Sequence, residues 1–211
     1  MTQSFLCTGV TRLGRIAIAL VVFDTIAVAS AAKADNPKIN IIIANRGTFV
    51  VELLPKAAPK TVAHILKLVN KKFYDGIKIH RVVPDFVVQM GDPESKTLSP
   101  AEFDSKDIGS HGSGENVPLE ATLKHVKGGV GLARASAPDT GDSQFYFNLK
   151  DLPQLDNQYC VFGKIIKGVE LMDKLQVGDT IKSIRVVAAK PKADTKTKKE
   201  SKKAVEESKP K

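Results

Sequence analysis

The sequence predicts a mainly β chain whose short strands close into an antiparallel barrel, with only two helices. Short runs rich in Ile, Val and Phe recur between residues 38 and 187, and apolar spacing at the helical period is confined to two patches. That balance argues for a barrel over a layered α/β arrangement. A length of 211 residues sits near the expectation for one domain with extensions, and a hydrophobic fraction of 42% excludes wholesale disorder.

Residues 1–34 read as an export signal. Arg12 and Arg15 precede the apolar run from Ile16 to Ala29, which is short for a membrane span, and Ala32-Lys33-Ala34 offers a small-residue cleavage site before Asp35. A retained membrane anchor is the alternative, and Asp24 inside the run opposes it more strongly than it opposes a signal. Cleavage would leave Cys160 as the only cysteine, without a disulfide, as a small buried hydrophobe in a strand. This reading places the protein in the periplasm or outside the cell.

Residues 35–188 form the predicted domain. Lys38 to Ala44 and Thr48 to Leu53 flank Asn45-Arg46-Gly47, a hairpin turn in which Gly47 supplies positive φ. Pro59 to Lys71 carries Val62, Ile65, Leu66 and Val69 at helical spacing, with Pro59 in the first turn. Strands are expected at 78–83, 86–90, 129–134, 143–149 and 160–166, then a helical patch from Val169 to Leu175 and a last strand from Ile181 to Val187. Between Asp92 and Leu119 the chain is rich in Ser, Gly, Asp and Pro, which predicts a long, ordered loop of the kind that carries function.

Residues 189–211 hold nine lysines against four acidic residues and have no large apolar residue before Val205, so they read as a solubilising tail. The formal charge of +9 belongs mostly to this tail and the N-terminus. By charge alone the domain is therefore not a nucleic-acid-binding surface.

One segment stands out: Ile79-His80-Arg81-Val82-Val83-Pro84-Asp85-Phe86-Val87-Val88-Gln89-Met90-Gly91-Asp92. Pro84 should split it into two strands. Alternation in the second puts Phe86 with Val88 on one face and Val87 with Gln89 on the other. It also turns His80 away from Arg81, and without a nearby carboxylate or cysteine motif His80 reads as structural. A guanidinium and a carboxamide in so apolar a run are costly unless partnered. An apolar ligand that presents an amide would justify them.

This run resembles the cyclophilin family of peptidyl-prolyl isomerases. So do Asn45 to Leu53, Ala58 to Val62, Phe73-Tyr74-Asp75-Gly76, Gly128 to Arg134, Asp142 to Phe147 and Tyr159 to Ile165, all in the family's order. The resemblance spans roughly residues 38 to 188. It implies a closed eight-stranded antiparallel barrel capped at both ends by α-helices, acting on X-Pro bonds of polypeptides. Such bonds interconvert in tens to hundreds of seconds because rotation breaks amide resonance. Acceleration to roughly 100 per second requires about 5.5 kcal/mol. No metal, cofactor or covalent intermediate is needed, only a dry pocket, holds on the flanking carbonyls and a donor aimed at the prolyl nitrogen.

By resemblance Arg81 is that donor, and its rigid, permanently charged fork suits the role. Phe86 floors the proline pocket, Val87 stands where the family often has Met, and Tyr146 and Leu155 complete the walls. Gln89 holds a substrate carbonyl or orients Arg81. Gln144 is a second such amide, and the backbone of Ala135 pairs with the substrate main chain. The family's tryptophan falls at Gln154, which implies weak cyclosporin binding, and the histidine of many eukaryotic members falls at Tyr159. A proline-binding chaperone with little turnover is the alternative function. A hydrolase is disfavoured because no nucleophile elbow or zinc motif accompanies the Ser, His and Asp residues. Monomer is the default state.

Overall fold

The computed structural model describes residues 35–187. The expected signal at 1–34 and the expected tail at 189–211 lie outside the described residues. Eight antiparallel strands form one sheet: β1 (Lys38–Ile43), β2 (Gly47–Leu53), β3 (Ile79–Val83), β4 (Val87–Met90), β5 (Gly129–Leu132), β6 (Phe145–Asn148), β7 (Cys160–Lys167) and β8 (Ile181–Val186). Their order across the sheet is β3-β4-β6-β5-β7-β2-β1-β8.

The opening hairpin shows why these residues choose strands. Ile39, Ile41 and Ile43 alternate inward on β1, and Phe49, Val51 and Leu53 do so on β2, with Ile41 opposite Phe49. A slip of one residue would turn all six side chains to the wrong face. Asn45 at φ 59° and Gly47 at φ 135° make the turn. Helix α1 (Pro59–Asn70) buries Val62, Ile65, Leu68 and Val69 along one stripe and packs against β8.

Two expectations need correction. The barrel is curled rather than fully closed: β3 and β8, the sheet's edge strands, are joined only by an isolated bridge at Lys78 and Thr180 and the backbone bonds around it. Two of these bonds are Ile79 N–H to Asp179 O at 2.8 Å and Gly178 N–H to Ile79 O at 2.8 Å. The second helix is a 3-10 helix, Val169–Lys174, which burying Met172 holds in place. Six residues are too few for an α-helix to repay its nucleation.

The apolar side chains divide into two groups. Phe49, Phe145, Phe147, Phe162 and the β1 isoleucines fill the inside of the sheet. Val87, Tyr146 and Leu152 form a second, smaller cluster, with Phe86, Ala133, Leu155 and Tyr159 packed against it. Strand alternation explains the division: on β6, Phe145 and Phe147 point inward while Tyr146 between them points outward. β4 and β6 are therefore apolar on both faces, and the outer face holds the candidate site.

Candidate active site

The β3–β4 hairpin supplies Arg81, Phe86, Val87 and Gln89. Arg81 lies opposite Gln89, Gln89 opposite Tyr146 on β6, and Tyr146 opposite Gly131 on β5, so one row of four strands carries these groups across the outer face. Gly131 is required there, because a Cβ at that position would lie 2.3 Å from Tyr146 Cζ.

Two local irregularities overturn the simple alternation read from the sequence. Asp85 adopts φ 56°, and the turn runs through Phe86, so β4 begins only at Val87. Phe86 consequently joins Val87 in the outer cluster, whereas Val88 faces the inner core. The β3–β4 register shifts between Ile79 and Arg81, which makes His80 the extra residue of a β-bulge. His80 and Arg81 then line the same hollow of about 500 Å³ instead of pointing apart. Both ring nitrogens of His80 are buried without a hydrogen-bond partner, and burial pushes its pKa down from 6.5 to about 4.

A cavity of about 200 Å³ opens on the outer face. Phe86, Val87, Tyr146, Leu155 and Tyr159 supply its apolar walls, and Arg81 and Gln89 supply its polar edge. The Arg81 guanidinium stands 5.8 Å from the Phe86 ring centre, with Nη1 3.5 Å from Gln89 Oε1, the outer limit of a hydrogen bond. Gln89 Nε2 donates to Gln144 Oε1 at 2.9 Å, and Gln144 Nε2 donates to the His111 carbonyl at 2.8 Å. This relay holds both carboxamides in fixed orientations and leaves Arg81 the loosest polar group of the site.

A groove of about 570 Å³ adjoins the cavity, sharing Gln89, Ala133 and Arg134 with it and including Ala135 and Gln144. Its far wall is the Gly109–Gly114 stretch. The fully buried Asp92 carboxylate accepts from Gly109 N–H at 2.7 Å and His111 N–H at 3.1 Å. Asp142 accepts from Gly114 N–H at 2.9 Å, from the Ser113 hydroxyl, and lies 3.1 Å from His64 Nε2. Charged acceptors of this kind satisfy backbone donors that an irregular loop leaves unpaired. Gly112 and Gly114 thus stand at the groove.

Behind the cavity lies a chain that sequence reasoning did not find. His125 donates through its backbone N–H to Asp156 Oδ1 at 2.8 Å, and its Nδ1 is 3.1 Å from the same oxygen. An ionised carboxylate only accepts, so Nδ1 carries the proton and Nε2 accepts from the Tyr146 hydroxyl at 3.0 Å. Burial lowers the His125 pKa, opposed by Asp156, while the His125 backbone donor holds the Asp156 carboxyl below its usual range. Burial raises the Tyr146 pKa far above the phenolic range. Sequence separations of 21 and 31 residues leave no local pattern that could reveal these partners.

All nine residues expected at the site from the sequence line the cavity or the groove. Gln154, at the tryptophan position, is exposed. Arg134 lines both cavities and was not assigned a role, although it lies within the segment Gly128 to Arg134 that carries the resemblance. Cys160 is a buried free thiol, its pKa pushed up to about 11 by burial.

An apolar hollow beside a guanidinium and two oriented carboxamides, on the outside of a curled eight-stranded sheet, defines a site for an apolar ligand that carries amides. The profile of the family described as cyclophilin type peptidyl-prolyl cis-trans isomerase/CLD matches residues 38–199. A probable peptidyl-prolyl cis-trans isomerase of Brucella suis is 35% identical over 193 residues, covering 88% of this chain and 98% of the relative. Peptidyl-prolyl cis-trans isomerase B of Bacillus subtilis is 38% identical over 138 residues, 64% of this chain and 87% of that one. The crystal structure of a Cryptosporidium parvum cyclophilin-type isomerase in the presence of the dipeptide Ala-Pro superposes with a TM-score of 0.62 at 28% identity, over 72% of this chain and 99% of that one. The chain belongs to the cyclophilin-type peptidyl-prolyl cis-trans isomerases.

Proposed function

We propose that this isomerase seats the pyrrolidine ring of an X-Pro segment in the 200 Å³ cavity, against Phe86, Val87, Tyr146 and Leu155. Twisting the amide removes conjugation and leaves a lone pair on the prolyl nitrogen. Arg81 donates to that lone pair, a contact that exists only in the twisted state and so lowers the barrier rather than tightening ground-state binding. Gln89 holds the carbonyl of the residue before proline, and the substrate main chain runs on over Ala135 and Gln144. The apolar walls exclude water that would compete for the donor. No proton is transferred and no bond is made or broken.

The observation that carries this reading is the Arg81 guanidinium at the edge of an apolar cavity with one weak side-chain partner. A donor tightly paired in the resting site would have to break that pairing to act; Arg81 need not. Replacement Arg81→Ala in the full chain is expected to cut isomerisation of an Ala-Pro test peptide by at least tenfold while the circular dichroism spectrum persists. Unchanged turnover in the folded variant would reject Arg81 as the donor.

The substrates we assign are unfolded or newly exported chains. Arg12 and Arg15 ahead of the apolar run, and Ala32-Lys33-Ala34 after it, support export with cleavage before Asp35. Mass spectrometry of the protein recovered from its native cell is expected to give an N-terminus at Asp35; an intact leader would sink the periplasmic assignment.

A further inference from the structure

Arg134 is the second guanidinium of the site, and it is held far more firmly than Arg81. It follows β5 in the segment Ala133-Arg134-Ala135, where the chain leaves the sheet. Its Nε donates to the Gln158 carbonyl at 3.0 Å. Its Nη1 donates to the carbonyls of Ala135 at 2.8 Å and Ser136 at 2.9 Å. The guanidinium carbon lies over the Tyr159 ring, 4.6 Å from its centre. Among the described residues, Nη2 has no hydrogen-bond partner, and no carboxylate comes within ion-pair distance of the group.

A fixed cation with an unused pair of donors is unusual where acids are close at hand. The nearby carboxylates are committed elsewhere: Asp156 to His125, Asp142 to Gly114 and Ser113, Asp139 to the Leu119 amide. Three carbonyl acceptors and one aromatic face fix the side chain before any ligand arrives, so little of its freedom is left to lose on binding. Arg134 also lines both the proline cavity and the groove, at the point where one passes into the other.

If Gln89 holds the carbonyl of the residue before proline, that residue lies on the groove side of the cavity, because Gln89 borders both. Its side chain then passes over Arg134. We infer that Arg134 forms a subsite for an acidic side chain on the residue immediately preceding proline, so that Glu-Pro and Asp-Pro segments are preferred substrates. The inference rests on the isomerase reading above. Glu94 lines the groove but not the cavity, so negative charge is opposed further along the groove and the preference is confined to the position beside proline.

The test is kcat/KM of the full chain on three peptides that differ only in having Glu, Ala or Lys before proline, at physiological salt so that the long-range field of a basic protein is screened. The Glu peptide is expected to exceed the Lys peptide roughly five- to tenfold, the range of one solvent-exposed ion pair gained and one like-charge contact avoided. The difference should reside in KM, with kcat alike, because the contact is made equally in ground and twisted states. Arg134→Gln should collapse the ratio. Arg134→Lys, which keeps the charge but loses the fixed fork of donors, should keep its sign and recover part of its size. A wild-type ratio near one, or a ratio that persists in Arg134→Gln, would overturn the inference. Should Arg134→Gln not fold, the wild-type ratio and its retention in Arg134→Lys decide. Failure of the isomerase reading is a separate result: no turnover of the Ala peptide by the wild type.

Discussion

Tyr146 has to be apolar toward the ligand and polar toward the protein. Its ring walls the cavity and its hydroxyl lies in the interior, where an unpaired O–H is costly. His125 resolves the conflict, and Asp156 fixes which imidazole nitrogen is free to accept. The consequence is directional. Replacement Tyr146→Phe keeps the wall but leaves His125 Nε2 buried with nothing to accept from. Its cost should therefore exceed that of a neutral hydrogen bond and reach about 1–3 kcal/mol. Urea denaturation measures it as a lower midpoint at unchanged slope; a loss below half a kcal/mol would mean that the imidazole finds another donor. At this scale the sequence was informative about Arg81, Phe86 and Gln89, because they stand in one short run. It was silent about His125 and Asp156, whose roles arise only when the segment before β5, β6 and the loop after β6 come together.

Among the elements, legibility followed regularity. The β1–β2 hairpin has strict alternation and a glycine in its turn, and its strands and register could be read directly. The β3–β4 hairpin departs from alternation twice, at the left-handed Asp85 and at the His80 bulge, and each departure moved one residue to a different face. The first departure brings Phe86 to the cavity, where the resemblance and not the alternation had put it, and the second turns His80 into the hollow beside Arg81. The stretch after β4 is the converse case. Its composition correctly signalled an ordered loop, but the 3-10 helices Pro93–Lys96, Pro100–Glu102 and Asp104–Lys106 were missed. A local signal existed: Ser99-Pro100-Ala101-Glu102 is a capping box, in which Glu102 Oε2 accepts from Ser99 N–H at 2.8 Å. What holds the loop in place is the buried Asp92, and nothing in its neighbours along the chain announces that it accepts from amides 17 and 19 residues away.

Across the whole molecule, buried imidazoles give stability a pH dependence that the chemistry does not share. His80 and His125 both have folded-state pKa values below the ordinary 6.5, His80 at about 4, each because burial disfavours the charged ring. The unfolded chain therefore binds more protons than the folded one as pH falls below 6.5, and the folded state loses ground there. For each histidine the slope approaches about 1.4 kcal/mol per pH unit once its unfolded form is protonated. For His80 the loss continues until the folded ring itself titrates near pH 4. Asp75, held low chiefly by its hydrogen bond to Arg185, works in the same direction but at lower pH, because its contribution disappears only below the ordinary carboxylate value of 3.8. The interval from pH 6.5 to 4 thus belongs to the histidines. The urea midpoint of the wild type should fall between pH 7 and pH 5, and His80→Asn should flatten that fall, since the asparagine takes up no proton. Turnover of an Ala-Pro peptide by the protein that stays folded should change little over the same interval, because the proposed step transfers no proton. A midpoint constant from pH 7 to 5 would show that His80 and His125 are solvated well enough to charge in place. A turnover profile falling with the histidines would instead make one of them part of the chemistry, and His80, beside Arg81 on the same hollow, is the one so placed.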